Sequence, residues 1–176
     1  ELNWRSKKKK AKKVVLIGKG VCFDTGGLNL KLGFGMNLMK KDMGGAANCI
    51  GLAKIIDDNK LELDLKLLLP LVENSVSSKS MRPSDIIKSR KGVFIEIADT
   101  DAEGRLILAD SLTYACETKP DLIVDMATLT GASRVALGTD VPSFFSNDEI
   151  LTNKLLEFSK ECGDPIWNLP LWQNYR

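Results

Sequence analysis

Four consecutive apolar residues, Val14-Val-Leu-Ile17, stop at Gly18, and the stretch from Gly18 to Gly35 then holds six glycines. A short β-branched run ended by glycine reads as a buried strand feeding a loop. The glycines let that loop take tight or positive-φ shapes closed to other residues. The pattern then changes period. Ala47, Ile50, Ala53 and Ile56 recur at helical spacing, predicting a helix from about Met43 to Asp57. Leu63 to Val72 reads as a second strand, Glu73 to Asp85 as a polar loop, and Asp85–Lys88 with Val93–Ile97 as a hairpin around Lys91-Gly92. A polar loop from Asp99 to Arg105 precedes a second helix, Leu106 to Glu117, which Pro120 stops. Leu122–Ala127 and Val141–Phe145 read as strands, and Asn147 or Asp148 as the cap of a helix running to about Cys162. Strands alternating with helices predict an α/β fold, with a mixed, largely parallel sheet flanked by helices.

The chain has 176 residues, 44% apolar and 27% charged, which suits one globular domain. No apolar run approaches the roughly 18 residues of a membrane span, and no secretory signal is visible, so the expected compartment is the cytoplasm. The formal charge of +2 is uneven: residues 1–13 carry seven basic side chains against Glu1 alone, and the remainder is net acidic. Residues 1–13 read as a basic linker or strand lead-in; no aromatic residue interleaves with the lysines, which argues against nucleic acid. Cys22, Cys49, Cys116 and Cys162 are widely spaced and read as reduced, mostly buried thiols. Histidine is absent. That excludes Ser–His and Cys–His nucleophilic machinery within this chain, and it excludes a histidine-based zinc site.

Loops at the carboxyl ends of strands are where α/β sheets collect function. Three here are rich in charge and glycine: Gly18 to Lys31, Met39 to Ala47, and Asp99 to Arg105. Phe23 breaks a dinucleotide-binding glycine fingerprint, and no phosphate-binding Gly-Lys-Ser/Thr follows. Asp24-Thr25-Gly26 has the form of an aspartic-protease triplet, whose chemistry needs a second copy that only a dimer would supply. Asp24, Asp42, Asp101 and Glu103 lie in these loops. Were they to converge, four negative charges would share a small volume, and two divalent cations would neutralise them. Oxygen ligands without histidine suit manganese, zinc or magnesium.

At these loops the chain resembles the leucyl aminopeptidase family of dinuclear metallopeptidases. The resemblance lies in IGKGVCFDTGGLNLK (17–31), MKKDMGGAA (39–47), DTDAEGRL (99–106), ATLTGA (127–132) and WNLPL (167–171), and spans Val14 to the last residue. It implies that Asp24 and Glu103 bridge two divalent ions, that Lys19 and Asp42 complete the tighter site, and that Asp101 completes the exchangeable one. As a ligand Lys19 would be neutral, its pKa depressed by the ions and by burial. The resemblance gives Lys31 the task of polarising the scissile carbonyl and Arg105 that of holding a bicarbonate as general base. Met39 and Thr128 would line the pocket for the first side chain, with Leu129 and Gly131 offering backbone contacts. The implied reaction is removal of amino-terminal residues, leucine and other bulky apolar ones preferred, by a metal-activated water. Full-length relatives form hexamers, so a homo-oligomer is implied. Residues 14–176 would be an incomplete catalytic domain, without the separate amino-terminal domain or the final part of the catalytic one. A non-catalytic remnant that binds a partner is the reading from a different class. The chain departs from the family pattern at Asp99, where asparagine is usual, and at Leu32, where proline is common. Asp99 adds a carboxylate beside the site, and Leu32 is expected to loosen the loop that carries Lys31.

Overall fold

A computed structural model describes residues 1–175, which form two compact units, Glu1–Leu129 and the remainder from Thr130. The first unit is built on a four-stranded sheet. Its strands are β1 (Leu2–Trp4), β2 (Lys12–Gly18), β4 (Leu63–Leu68) and β8 (Leu122–Met126), in the order β1-β4-β2-β8. β2 runs parallel to both β4 and β8, and β1 is antiparallel to β4. The fold is therefore mixed α/β with a largely parallel sheet.

After two exposed lysines, the apolar run within β2 is buried on both faces from Val15 on, as a central parallel strand must be. Val15 and Ile17 face one layer with Leu68, Leu108 and Ala115. Leu16 faces the other, with Cys49, Ala53, Leu65 and Leu67. These layers are supplied by α2 (Glu103–Glu117) and α1 (Gly44–Asp58) respectively. Cys49 is sealed in the α1 layer, and burial, followed by the nearby charge of Asp125, pushes its thiol up to about 11. Cys22, Cys116 and Cys162 are exposed, which corrects the expectation of mostly buried thiols. They sit in a two-stranded ribbon and at two helix ends, where no second layer covers them.

Both central strands are interrupted, and the interruption makes the site. After β2 the chain pauses at Lys19, whose N–H donates to Met126 O and whose carbonyl accepts from Ala46, each at 2.9 Å. It then resumes as β3 (Gly20–Asp24). The stretch beyond Gly18 is thus not all loop, contrary to expectation. β4 likewise breaks at Leu69-Pro70, where proline withholds a ladder donor, and resumes as β5 (Leu71–Asn74). The single strand expected over Leu63–Val72 is therefore two strands. β3 and β5 pair in parallel, with an irregularity between Val21 and Phe23.

The basic head is fastened rather than free. Leu2–Trp4 pairs with β4, Ser6 N–H donates to Asp64 at 2.9 Å, and Lys8 meets Glu62 at 3.1 Å. The hairpin forms as β6 (Ile86–Lys88) and β7 (Phe94–Glu96), antiparallel. The second unit holds α3 (Ala132–Leu137), β9 (Ser143–Phe144), α4 (Glu149–Cys162) and β10 (Trp167–Asn168), with β9 and β10 parallel. Asp148 caps α4 by accepting from Leu151 N–H at 2.9 Å. Among the described residues no helix is long and apolar enough to cross a membrane.

Candidate metal centre

The strand breaks and two helix starts deliver charged side chains to one end of the first unit's sheet. Lys19 stands at the β2–β3 break and Asp24 ends β3. Asp42 follows a single 3-10 turn, Met39–Lys41, just before α1. Asp99 caps a second 3-10 turn, Thr100–Ala102, that contains Asp101 and runs straight into α2. Glu103 is therefore the first residue of that helix rather than part of a loop. Carboxylates at helix amino termini meet the positive end of the helix dipole.

The convergence expected of the four acids is observed. Lys19 Nζ lies 2.8 Å from Asp42 Oδ2 and 2.9 Å from Glu103 Oε1. Lys31 Nζ lies 2.9 Å from Asp24 Oδ2 and 2.5 Å from Asp101 Oδ1. Asp24, Asp101 and Glu103 each present an oxygen within 4.8 Å of the others. Lys19, Asp24, Asp42 and Glu103 are at most 4% exposed. Four carboxylates, three of them buried, against two ammoniums leave the cluster with a formal deficit of positive charge, which is costly where burial lowers the dielectric.

The shifts follow from these contacts. Burial pushes the Glu103 carboxyl up, and Lys19 offsets only part of that. Asp101 is raised by burial and by its neighbour Asp24, against the pull of Lys31. Burial also acts on Asp24, but Lys31, the Gly26 N–H and the Asn74 amide outweigh it and hold that carboxyl below its ordinary value. For Lys19 burial opposes the ammonium, yet Asp42 and Glu103 win and raise its pKa. The protein groups alone thus keep Lys19 charged, opposite to the neutral amine expected of a ligand. The proton must leave if this nitrogen is to bind a cation.

Two buried oxygens test whether a metal fits. Asp42 Oδ2 and Glu103 Oε1 accept no hydrogen bond of proper geometry, although each touches the Lys19 ammonium as an ion pair. Buried acceptors without donors are rare and suit a cation. The donor set, carboxylate oxygens with one amine, suits the hard to borderline divalent ions. The residues present fit such ions.

The other expected residues fall in different places. Met39 opens the 3-10 turn that leads to Asp42 and is half-buried. Thr128 lies beside the cluster: its hydroxyl donates to Asp42 Oδ1 at 2.7 Å, and its carbonyl accepts from Lys19 Nζ at 3.3 Å. Leu129 is 42% exposed at the end of the first unit. Gly131 belongs to the second unit, where it precedes α3. Arg105 is exposed and makes no ion pair among the described residues. Asp99 accepts from Asp101 N–H at 2.8 Å, so its extra carboxylate serves the turn as a cap, a task asparagine performs equally. Lys31 N–H donates to Thr25 O at 2.9 Å, which fastens the loop one residue before Leu32. The aspartic-protease alternative finds no support, because Asp24 is held ionised against Lys31 instead of sharing a proton.

Three site residues escaped sequence reasoning. Thr100, 1% exposed, donates from its hydroxyl to Gly26 O at 2.6 Å and accepts from Asn29 N–H at 2.8 Å. Asn29 returns a contact, its side-chain oxygen accepting from Thr100 N–H at 2.8 Å. Asn74 Nδ2 donates to Asp24 Oδ1 at 2.9 Å and to Thr100 O at 3.0 Å. The available signal for Asn74 was a lone asparagine at the carboxyl end of a strand.

The family model for the cytosol aminopeptidase family, catalytic domain, matches residues 1–176. A probable cytosol aminopeptidase of Paraburkholderia phytofirmans is 49% identical over 167 residues, covering 95% of this chain and 33% of that protein. One from Burkholderia pseudomallei is 46% identical over 175 residues, covering 99% and 35%. The crystal structure of the cytosol aminopeptidase from Coxiella burnetii superposes with a TM-score of 0.93 at 52% identity, covering 99% of this chain and 38% of that one. The chain spans about a third of the length of the curated relatives it matches. With its whole length matched by the family model, the chain belongs to the cytosol aminopeptidase family.

Proposed function

We propose that this chain carries the metal-binding and catalytic residues of an aminopeptidase that removes leucine and other bulky apolar residues from the amino termini of peptides. The carrying observation is the convergence of Lys19, Asp24, Asp42, Asp101 and Glu103, with Lys31 beside them. Asp24 and Glu103 would be shared between two divalent ions, manganese or zinc first and magnesium as a further choice. Lys19 and Asp42 would complete one position and Asp101 the other. Such ions supply Lewis acidity, activating a water and accepting charge that develops on the carbonyl oxygen.

The remaining chemistry falls to the chain's own side chains. Asp24 and Asp101 outweigh burial and raise the Lys31 pKa, so its ammonium is charged at neutral pH and can donate to the developing oxyanion. The acidic cluster favours the free ammonium end of a peptide, which accords with exopeptidase action. The Met39 carbonyl accepts from Asp42 N–H at 3.1 Å and the Thr128 hydroxyl donates to Asp42 Oδ1 at 2.7 Å, which supports their assignment to the pocket for the first side chain. Arg105, exposed and without a carboxylate partner among the described residues, offers its guanidinium as the seat of a bicarbonate general base. A homo-oligomer and a cytoplasmic location belong to the same proposal, resting on the family resemblance.

Hydrolysis of leucine p-nitroanilide with added Mn²⁺ or Zn²⁺, followed alongside calorimetric metal titration, tests this reading. Metal-dependent turnover with two ions per chain is expected. Neither turnover nor metal binding would leave the non-catalytic reading in its place.

A further inference from the structure

We propose that Asn74 is a positioning residue of the metal centre, whose side-chain amide ties Asp24 to the Thr100–Glu103 segment and so sets the spacing of the two carboxylates assigned to bridge the ions. This inference rests on the two-metal reading above. Asn74 ends β5 in register with Asp24, the last residue of β3. Its carbonyl accepts from Thr25 N–H at 2.9 Å and from the Thr25 hydroxyl at 2.7 Å, so the backbone is pinned. The side chain then reaches three acceptors. Nδ2 lies 2.9 Å from Asp24 Oδ1, 3.0 Å from Thr100 O and 3.4 Å from Glu103 Oε2. An amide has two hydrogens, so the first two contacts are the strong ones and Glu103 takes a weaker share.

The chemistry of the acceptors dictates what can stand at this position. Asp24 Oδ1 receives both the Asn74 amide and the Gly26 N–H, the latter also at 2.9 Å. With two donors on Oδ1, Oδ2 is the oxygen turned toward Lys31. The opposite amide orientation would set a carbonyl oxygen against two carboxylates, so the neighbours fix the flip. A Cβ at Gly27, whose φ is +66°, would lie 2.9 Å from Asn74 Oδ1, so glycine there makes room for the side chain. Asp24 and Glu103 come from distant parts of the chain, and among the described residues Asn74 is the side chain that hydrogen-bonds to both.

The test compares the 176-residue chain with Asn74→Leu, which keeps volume and loses the donor, and Asn74→Asp, which keeps shape and replaces the donor with a negative charge. Mn²⁺ is titrated by calorimetry, electron paramagnetic resonance reads the exchange coupling of a manganese pair, and near-ultraviolet circular dichroism checks the fold. We expect the dissociation constant of the weaker ion to rise about tenfold or more in both variants, with loss of the coupled-pair spectrum. Asn74→Asp is the decisive variant, and it decides alone if Asn74→Leu does not fold. Added negative charge would by itself tighten a dication, so weakening there reports the lost donor and the displacement of Asp24 and Glu103 that follows when an oxygen faces them. Wild-type constants and a coupled spectrum in either folded variant, or tighter binding in Asn74→Asp, overturn the proposal. Absence of manganese binding by the unaltered chain removes the two-metal reading itself, and this inference with it.

Discussion

Gly104 shows how closely single residues are matched at the site. A Cβ there would lie 2.6 Å from Lys19 Cε and 2.7 Å from its Nζ, so the lysine stem lies on a bare patch of α2. The stem cannot swing aside freely, because Asp42 and Glu103 grip its end. Gly104→Ala should therefore cost about 1–3 kcal/mol of stability by overpacking, read from urea midpoints. It should also weaken metal binding about tenfold or more, read by calorimetry. Lys31 makes a prediction about pH. Its folded pKa is raised above the ordinary 10.5 because Asp24 and Asp101 outweigh the opposing effect of burial. The stability it confers is thus complete below about 10.5 and is lost as pH climbs from there through the folded value. In chelator, urea midpoints should fall across that alkaline window, and Lys31→Met should flatten the fall. Asp99 is a milder case. Asp99→Asn keeps the cap and should leave the urea midpoint unchanged, whereas Asp99→Ala should cost about 1 kcal/mol.

Secondary-structure elements were legible in the sequence wherever one force dominated. β2, α1, α2 and α4 each carry an apolar pattern or a cap strong enough to stand alone, and all four formed within a few residues of expectation. Glu103 and Arg105 entered α2 early because Asp99 and the Thr100–Ala102 turn start the coil ahead of the first apolar residue. The misses share a different cause. β3 hides in a glycine-rich stretch because β5, not local propensity, makes it a strand. β1 hides in the basic head because it exists only against β4. The interruption at Lys19 is invisible locally, since it depends on hydrogen bonds to Met126 and Ala46. The four acids were legible as a cluster because buried carboxylates demand counter-charge wherever they meet, whereas Lys19, Lys31 and Arg105 came from the family resemblance. Asn74, Thr100 and Asn29 were not, because a neutral polar residue in a polar stretch carries no such demand until its acceptors are known.

At the scale of the whole chain, nearly all of the proposed machinery falls within one of the two units. Lys19, Asp24, Lys31, Asp42, Asp101, Glu103, Arg105 and Thr128 all belong to Glu1–Leu129, and so does the core on both faces of the sheet. Of the residues assigned here to metal or peptide, Gly131 alone lies beyond that boundary. Metal binding should then be a property of the first unit, while handling of the peptide draws on more of the chain. A chain ending at Leu129 should bind two Mn²⁺ by calorimetry, with constants within about threefold of the 176-residue chain, since buried ligands and their hydrogen-bonded supports set affinity. Asp42→Ala within it should abolish one site and leave circular dichroism unchanged. If the shortened chain folds but binds fewer than two ions, the second unit must support the centre, and the assignment of all ligation to residues before Thr130 fails.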